Sequence, residues 1–162
     1  MTVKTNMKLA KHEWKGKAHL TWKDIGSCIK ILCDNVQKSG FKFDKIATVS
    51  RGGLVPARLI ADHFNIKIIL VDQKKIPKRT LFVDDIYDSG DTFKKIFLQV
   101  CDPDNFIYAT LIARRGMSYP HELIYAKKTR GKEYVIFPWD KLEFDNLHIS
   151  VKNSYSKNNF IE

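Results

Sequence analysis

The sequence predicts one α/β domain with a central, mostly parallel sheet flanked by helices, and three observations carry that expectation. Short apolar runs alternate with helical periodicities along 162 residues, a length that fits a single core. An apolar fraction of 44% and a charged fraction of 28% are those of an ordinary folded chain, which sets disordered and fibrous classes aside. Polar or glycine-bearing turns follow the strand-like runs, and an open parallel sheet carries its ligands at those ends.

Lysines at 4, 8, 11, 15 and 17 make residues 1–20 a basic N-terminal arm. Thr21-Trp22-Lys23-Asp24 then has the form of a capping box with Asp in place of Glu. Apolar residues at Ile25, Cys28, Ile29, Leu32 and Val36 predict a helix ending near Ser39-Gly40. The run 46–49 predicts a short buried strand and 56–64 a helix, with Pro56 suited to its first turn. A second strand is expected over 66–71, a third over 81–83, a helix over 93–100 and a fourth strand over 107–112. Residues 134–137 are the candidate for a fifth. Chemistry is therefore expected just after residues 49, 83, 112 and 137. The domain spans 21–140, and 141–162 form a C-terminal segment that packs on it or is partly disordered.

A net charge of +10 calls for a polyanionic partner, and nucleic acid, phosphorylated metabolites and anionic lipid all qualify. Lys127, Lys128, Arg130 and Lys132 form a second basic cluster, although such runs are most often solvated faces. No apolar run approaches the ~20 residues needed to cross a bilayer. The first dozen residues hold one adjacent apolar pair, Leu9-Ala10, unlike a signal peptide, so a cytoplasmic address is expected. Cys28, Cys33 and Cys101 show neither CxxC nor Cys/His spacing and read as reduced and mostly buried. The five histidines show no metal-ligand spacing.

The third predicted strand runs into Asp84, Asp85 and Asp88, then Ser89, Gly90, Asp91 and Thr92 at the mouth of a helix. Adjacent carboxylates at a strand end accept hydrogen bonds from vicinal hydroxyls or hold a hydrated magnesium ion. The small-residue turn exposes backbone N–H groups where a phosphate is favoured. A plain acidic turn capping the next helix through Ser89 or Asp91 is the simpler alternative. It does not account for the order of strand, two acids, two spacers, acid, small residues and threonine.

That order resembles the 5-phosphoribosyl pyrophosphate (PRPP) signature of type I phosphoribosyltransferases. Ser50-Arg51-Gly52-Gly53-Leu54-Val55-Pro56 looks like the pyrophosphate loop of the bacterial xanthine-guanine members. Ala113-Arg114 falls where 6-oxopurine enzymes place a lysine on the purine O6. Tyr134-Val135 and Pro138-Trp139-Asp140 fall where that subgroup has a base-stacking aromatic and a Pro-Trp-Asp. The likeness covers residues 20–140. It implies a type I phosphoribosyltransferase fold with a small C-terminal base-binding hood, Mg2+ as cofactor, and a place in purine salvage. It implies an enzyme that takes PRPP and a guanine, xanthine or hypoxanthine base to a nucleoside monophosphate and pyrophosphate, commonly as a dimer or tetramer.

The resemblance assigns Asp84 and Asp85 to the ribose hydroxyls and the metal. It assigns Asp88, Ser89, Gly90, Asp91 and Thr92 to the 5-phosphate end, with Asp88 also the acid/base at the purine N7. Ser50, Arg51, Gly52 and Gly53 would hold pyrophosphate, with Arg51 offsetting its developing charge. Arg114 would meet the purine O6, and Tyr134, with Val135, the ring. Two departures from the family pattern carry consequences. Asp91 puts a carboxylate in the phosphate cradle unless it turns to solvent. The connection over 72–79 is shorter than the family's mobile loop, which leaves the reacting sugar open to water. A PRPP- or nucleotide-sensing regulatory protein with weak or no catalysis, using its basic surface on nucleic acid, is the alternative in another class. A phosphoribosyltransferase for another base is the alternative within the same one.

Overall fold

A computed structural model describes residues 16–140. Residues 1–15 of the basic arm and the segment 141–162 lie outside the described residues. Five parallel strands make the central sheet: β2 (Lys45–Thr48), β3 (Ile69–Val71), β4 (Thr80–Tyr87), β5 (Ile107–Ala113) and β6 (Leu123–Lys128). Their order is β3-β2-β4-β5-β6. A separate ribbon pairs β1 (Lys17–His19) with β7 (Tyr134–Ile136) in parallel, with Lys17 opposite Tyr134. No helix among the described residues is long and apolar enough to cross a membrane.

Helix α1 (Trp22–Lys38) starts at the predicted capping box. Thr21 Oγ1 accepts from the Asp24 N–H at 3.2 Å, and Asp24 Oδ2 accepts from the Thr21 N–H at 2.7 Å. Its buried stripe of Ile25, Cys28, Leu32, Cys33 and Val36 covers one face of the sheet beside α2 (Leu54–Phe64). Leu81 and Val83 of β4 point into that core, whereas Phe82 and Tyr108 point to the opposite face, under α3 (Asp91–Phe97). The strand period of two thus loads both faces, as a doubly covered sheet requires.

Four expectations need correction. The third strand does not stop at residue 83: β4 runs to Tyr87, because Asp84, Ile86 and Tyr87 keep their register with β5. Asp84 and Asp85 therefore stand in the strand rather than in the loop after it. The run 134–137 is not the fifth strand of the sheet. Its β7 leaves to pair with β1, and the edge position belongs to the basic run β6, whose charged residues hide the strand pattern. Among the cysteines Cys28 and Cys33 are buried and Cys101 is exposed, all three free. The helix expected over 93–100 is α3, which ends earlier because Gln99 and Cys101 turn their backbone to Ile76.

Candidate active site

The turn after β2 is held against β4 from below. Buried Thr48 Oγ1 donates to the Val83 carbonyl at 2.7 Å. A Cβ at Gly53 would stand 2.0 Å from that hydroxyl oxygen, and one at Gly52 would stand 2.5 Å from Asp85 Oδ2. Only a bare backbone fits at either position. The turn and the acidic strand end, separate stations in the sequence, thereby become one surface. Ser50 donates its N–H to Asp72 Oδ1 at 2.8 Å and its hydroxyl to Asp72 Oδ2. Those two bonds hold the Asp72 carboxyl below the usual carboxylate range. The Ser50–Arg51 peptide is cis, and Arg51 is exposed.

Asp84 points to the α3 face. Its Oδ2 accepts from the Tyr108 hydroxyl at 2.8 Å and its Oδ1 from the Asp85 N–H at 2.9 Å. Asp85 points the other way, its Oδ1 accepting from the Ile86 N–H at 2.7 Å and its Oδ2 lying against Gly52. Burial, followed by the Asp84 charge and more weakly by Asp140, pushes the Asp85 carboxyl well above its usual range. A cation placed at Asp85 offsets that penalty. No group of three His, Cys, Asp or Glu side chains among the described residues can hold a metal by itself. Two carboxylates fit Mg2+ all the same, because that ion keeps several waters and takes oxygens from substrate phosphates.

At the end of β4, Asp88 is partly exposed, Ser89 is exposed, and Gly90 sits at φ 83° as the cap residue of α3. Ser89 Oγ accepts from the Asp91 N–H at 3.3 Å, and Asp91 is exposed rather than folded into the turn. Helix α3 has seven residues, so its dipole is small, and an anion here would rest on the N–H groups of the loop itself. Arg114, buried at the end of β5, donates through Nε to Asp88 Oδ1 at 3.0 Å and through Nη1 to the Glu133 carbonyl at 2.6 Å. Tyr134 follows at the start of β7, partly exposed, while Val135 is buried. The sequence-predicted residues thus gather along the carboxyl edge of β2, β4 and β5, with the segment before β7 joined to them through Arg114.

Several residues of this region were not singled out in the sequence. Tyr108, in an apolar run, shows only the weak signal that a buried phenol needs a partner. Burial and the Asp84 charge push its phenol far up, so it stays an O–H donor. Asp72 holds Ser50. Asp140, noted in the sequence only as part of Pro138-Trp139-Asp140, reaches Asp85 through its field. Ile76 pins the 72–79 connection: its N–H donates to the Gln99 carbonyl at 2.8 Å, its carbonyl accepts from the Cys101 N–H at 3.0 Å, and its side chain is 1% exposed. A cavity of about 490 Å³ lies at the other, amino edge of the sheet, between Arg79, Phe106 and Glu122, and holds none of the predicted residues.

No family profile matches the chain, and no curated protein matches it in sequence. Solved structures do match in shape. A purine phosphoribosyltransferase from Pyrococcus horikoshii is 24% identical with a TM-score of 0.61, over 76% of this chain and 93% of that one. A xanthine-guanine-hypoxanthine phosphoribosyltransferase from Helicobacter pylori is 18% identical with a TM-score of 0.67, over 82% and 99%. A hypothetical protein from Neisseria gonorrhoeae, solved with bound ppGpp, is 22% identical with a TM-score of 0.62, over 88% and 99%. The chain has the type I phosphoribosyltransferase fold.

Proposed function

We propose that this protein transfers the phosphoribosyl group of PRPP to a 6-oxopurine base, forming a purine nucleoside monophosphate and releasing pyrophosphate. The observation that carries the proposal is the contact of the Gly52 backbone with the Asp85 carboxylate. It puts a backbone suited to pyrophosphate beside an acid suited to the ribose, as a molecule bearing both groups on one sugar requires. Asp84 and Asp85 would take the ribose hydroxyls and Mg2+. The loop backbone at Asp88, Ser89, Gly90 and Thr92 would take the 5-phosphate. The Arg51-Gly52-Gly53 backbone and the Arg51 side chain would take pyrophosphate, with Ser50 shaping that turn through Asp72.

The reaction develops positive charge on the ribose and negative charge on the leaving group. The carboxylates of Asp84 and Asp85 would stabilise the first and Arg51 the second. When bound, Mg2+ would supply further charge neutralisation on the diphosphate. Asp88 would accept or return the purine N7 proton. Arg114, placed by Asp88 and by the Glu133 carbonyl, would meet the O6, and Tyr134 would cover the ring. The test is to mix protein, Mg2+ and PRPP with guanine, xanthine or hypoxanthine and follow nucleotide formation. Product with at least one of them is expected, and none with any would overturn the proposal.

A second reading, a nucleotide sensor with weak or no catalysis, is favoured by one observation. Ile76 ties down the connection that would otherwise close over the sugar. The Neisseria relative with bound ppGpp makes guanine nucleotides the ligands to try first. Tight binding of PRPP or ppGpp with no turnover on any base would favour this reading.

A further inference from the structure

We propose that Tyr108 is a positioning residue of the ribose site, acting through Asp84. The inference rests on the PRPP reading and adds to it the device that keeps the acidic pair aimed. Asp84 and Asp85 sit side by side in an extended strand, where side chains alternate between faces, so geometry alone sends Asp84 away from Asp85 and into the aromatic layer under α3. A carboxylate there needs a donor or it turns out of place.

Tyr108 supplies that donor. Its hydroxyl lies 2.8 Å from Asp84 Oδ2, and its ring is clamped on both sides, stacked on Phe82 at 5.0 Å and edge-to-face with Phe93 at 5.4 Å. Tyr108 is 1% exposed, so neither a rotamer change nor a water molecule can take its place. The other oxygen, Oδ1, accepts from the Asp85 N–H. The phenol and the amide thus both hold the carboxylate before any ligand arrives. Ordering that ligands would otherwise impose is built into the core, which is how a preorganised site gains affinity.

Tyr108→Phe removes the hydroxyl and keeps the ring between Phe82 and Phe93. A hydrogen bond to a charged group is involved, so Mg2+·PRPP affinity measured by calorimetry should fall roughly tenfold. The discriminating readout is a double-mutant cycle. In an Asp84→Asn background the same Tyr108→Phe change should alter affinity less than about twofold, since its effect passes through that carboxylate. Leu32→Ala, in the core on the opposite face of the sheet, serves as the packing control: it should lower Tm and leave PRPP affinity within about twofold. Equal losses in both backgrounds, or an unchanged single variant, would overturn the inference. If Tyr108→Phe alone does not fold, Asp84→Asn is compared with the double variant, where equal affinities are expected and a further loss would overturn it. A wild-type protein that binds no PRPP would instead sink the PRPP reading itself.

Discussion

Arg114 Nε lies 3.0 Å from Asp88 Oδ1 while its Nη1 lies 2.6 Å from the Glu133 carbonyl, so one buried side chain joins the turn after β4 to the segment before β7. A lysine has a single ammonium on a flexible stem and cannot make that fork. Arg114→Lys should therefore keep the fold and PRPP affinity but weaken purine nucleotide affinity, by roughly tenfold if one hydrogen bond of this kind is lost. Arg114→Ala leaves the part-buried Glu133 carbonyl and the Asp88 carboxylate without this donor and should cost about 2 kcal/mol of stability. Calorimetry with a nucleoside monophosphate, beside denaturant unfolding, checks both.

Asp85 makes a pH-dependent prediction. Its folded carboxyl ionises above the reference value of 3.8 because it is buried beside Asp84. Below pH ~4 both folded and unfolded states hold the proton and the group costs nothing. As pH rises from there through the raised folded value, the unfolded state ionises first and folding loses stability. Asp85→Asn should accordingly raise Tm at pH 7 without metal, and the gain should shrink to nothing below pH ~4. A gain that grows as pH falls would contradict the assigned cause.

How much of this was legible in the sequence depends on what each element answers to. The helix α1 was readable to within a residue because its cap and apolar stripe are local signals. The acids of β4 were found as residues but placed in the wrong setting. Charged residues argue for a loop, and only pairing with β5 keeps Asp84, Ile86 and Tyr87 in a strand. The edge strand β6 was missed for the same reason, since Lys127 and Lys128 need no burial on one side. Tyr108 and Ile76 act through partners distant in the chain, and no spacing rule reports such a contact.

Gly52 tests the shape of the turn. A methyl group there must displace the Asp85 carboxylate, whose other oxygen is held by the Ile86 N–H. Gly52→Ala should weaken PRPP binding by more than about tenfold, because the carboxylate must move and its part-buried hydrogen bond must break to make room. Circular dichroism should remain that of the wild type. Wild-type affinity in this variant would mean that the turn and the acid do not share a ligand.

The tethered connection bears on turnover. With Ile76 buried and its backbone bonded to Gln99 and Cys101, the short connection 72–79 is tethered at its middle. Slow transfer is expected, with pyrophosphate release measurable when no base is present, because an open site admits water. Ile76→Ala should cost roughly 2–5 kcal/mol and raise proteolytic cutting within 72–79. Fast transfer with no hydrolysis in the wild type would show that another part of the assembly provides the cover.

Asp88 is expected to act on the base rather than on PRPP. Asp88→Asn should lower turnover roughly 10²–10⁴-fold, the range for a general acid/base group, while PRPP affinity changes little. Equal losses in turnover and affinity would leave Asp88 a phosphate-ordering role alone.

The most direct measurement of the central claim is a calorimetric titration of PRPP with Mg2+ into the wild type and into the Asp84→Asn/Asp85→Asn variant. The account predicts saturable binding by the wild type and at least a tenfold loss in the variant, since two acceptors for the ribose are replaced. Equal affinity in the two proteins, or no binding by either, would contradict it.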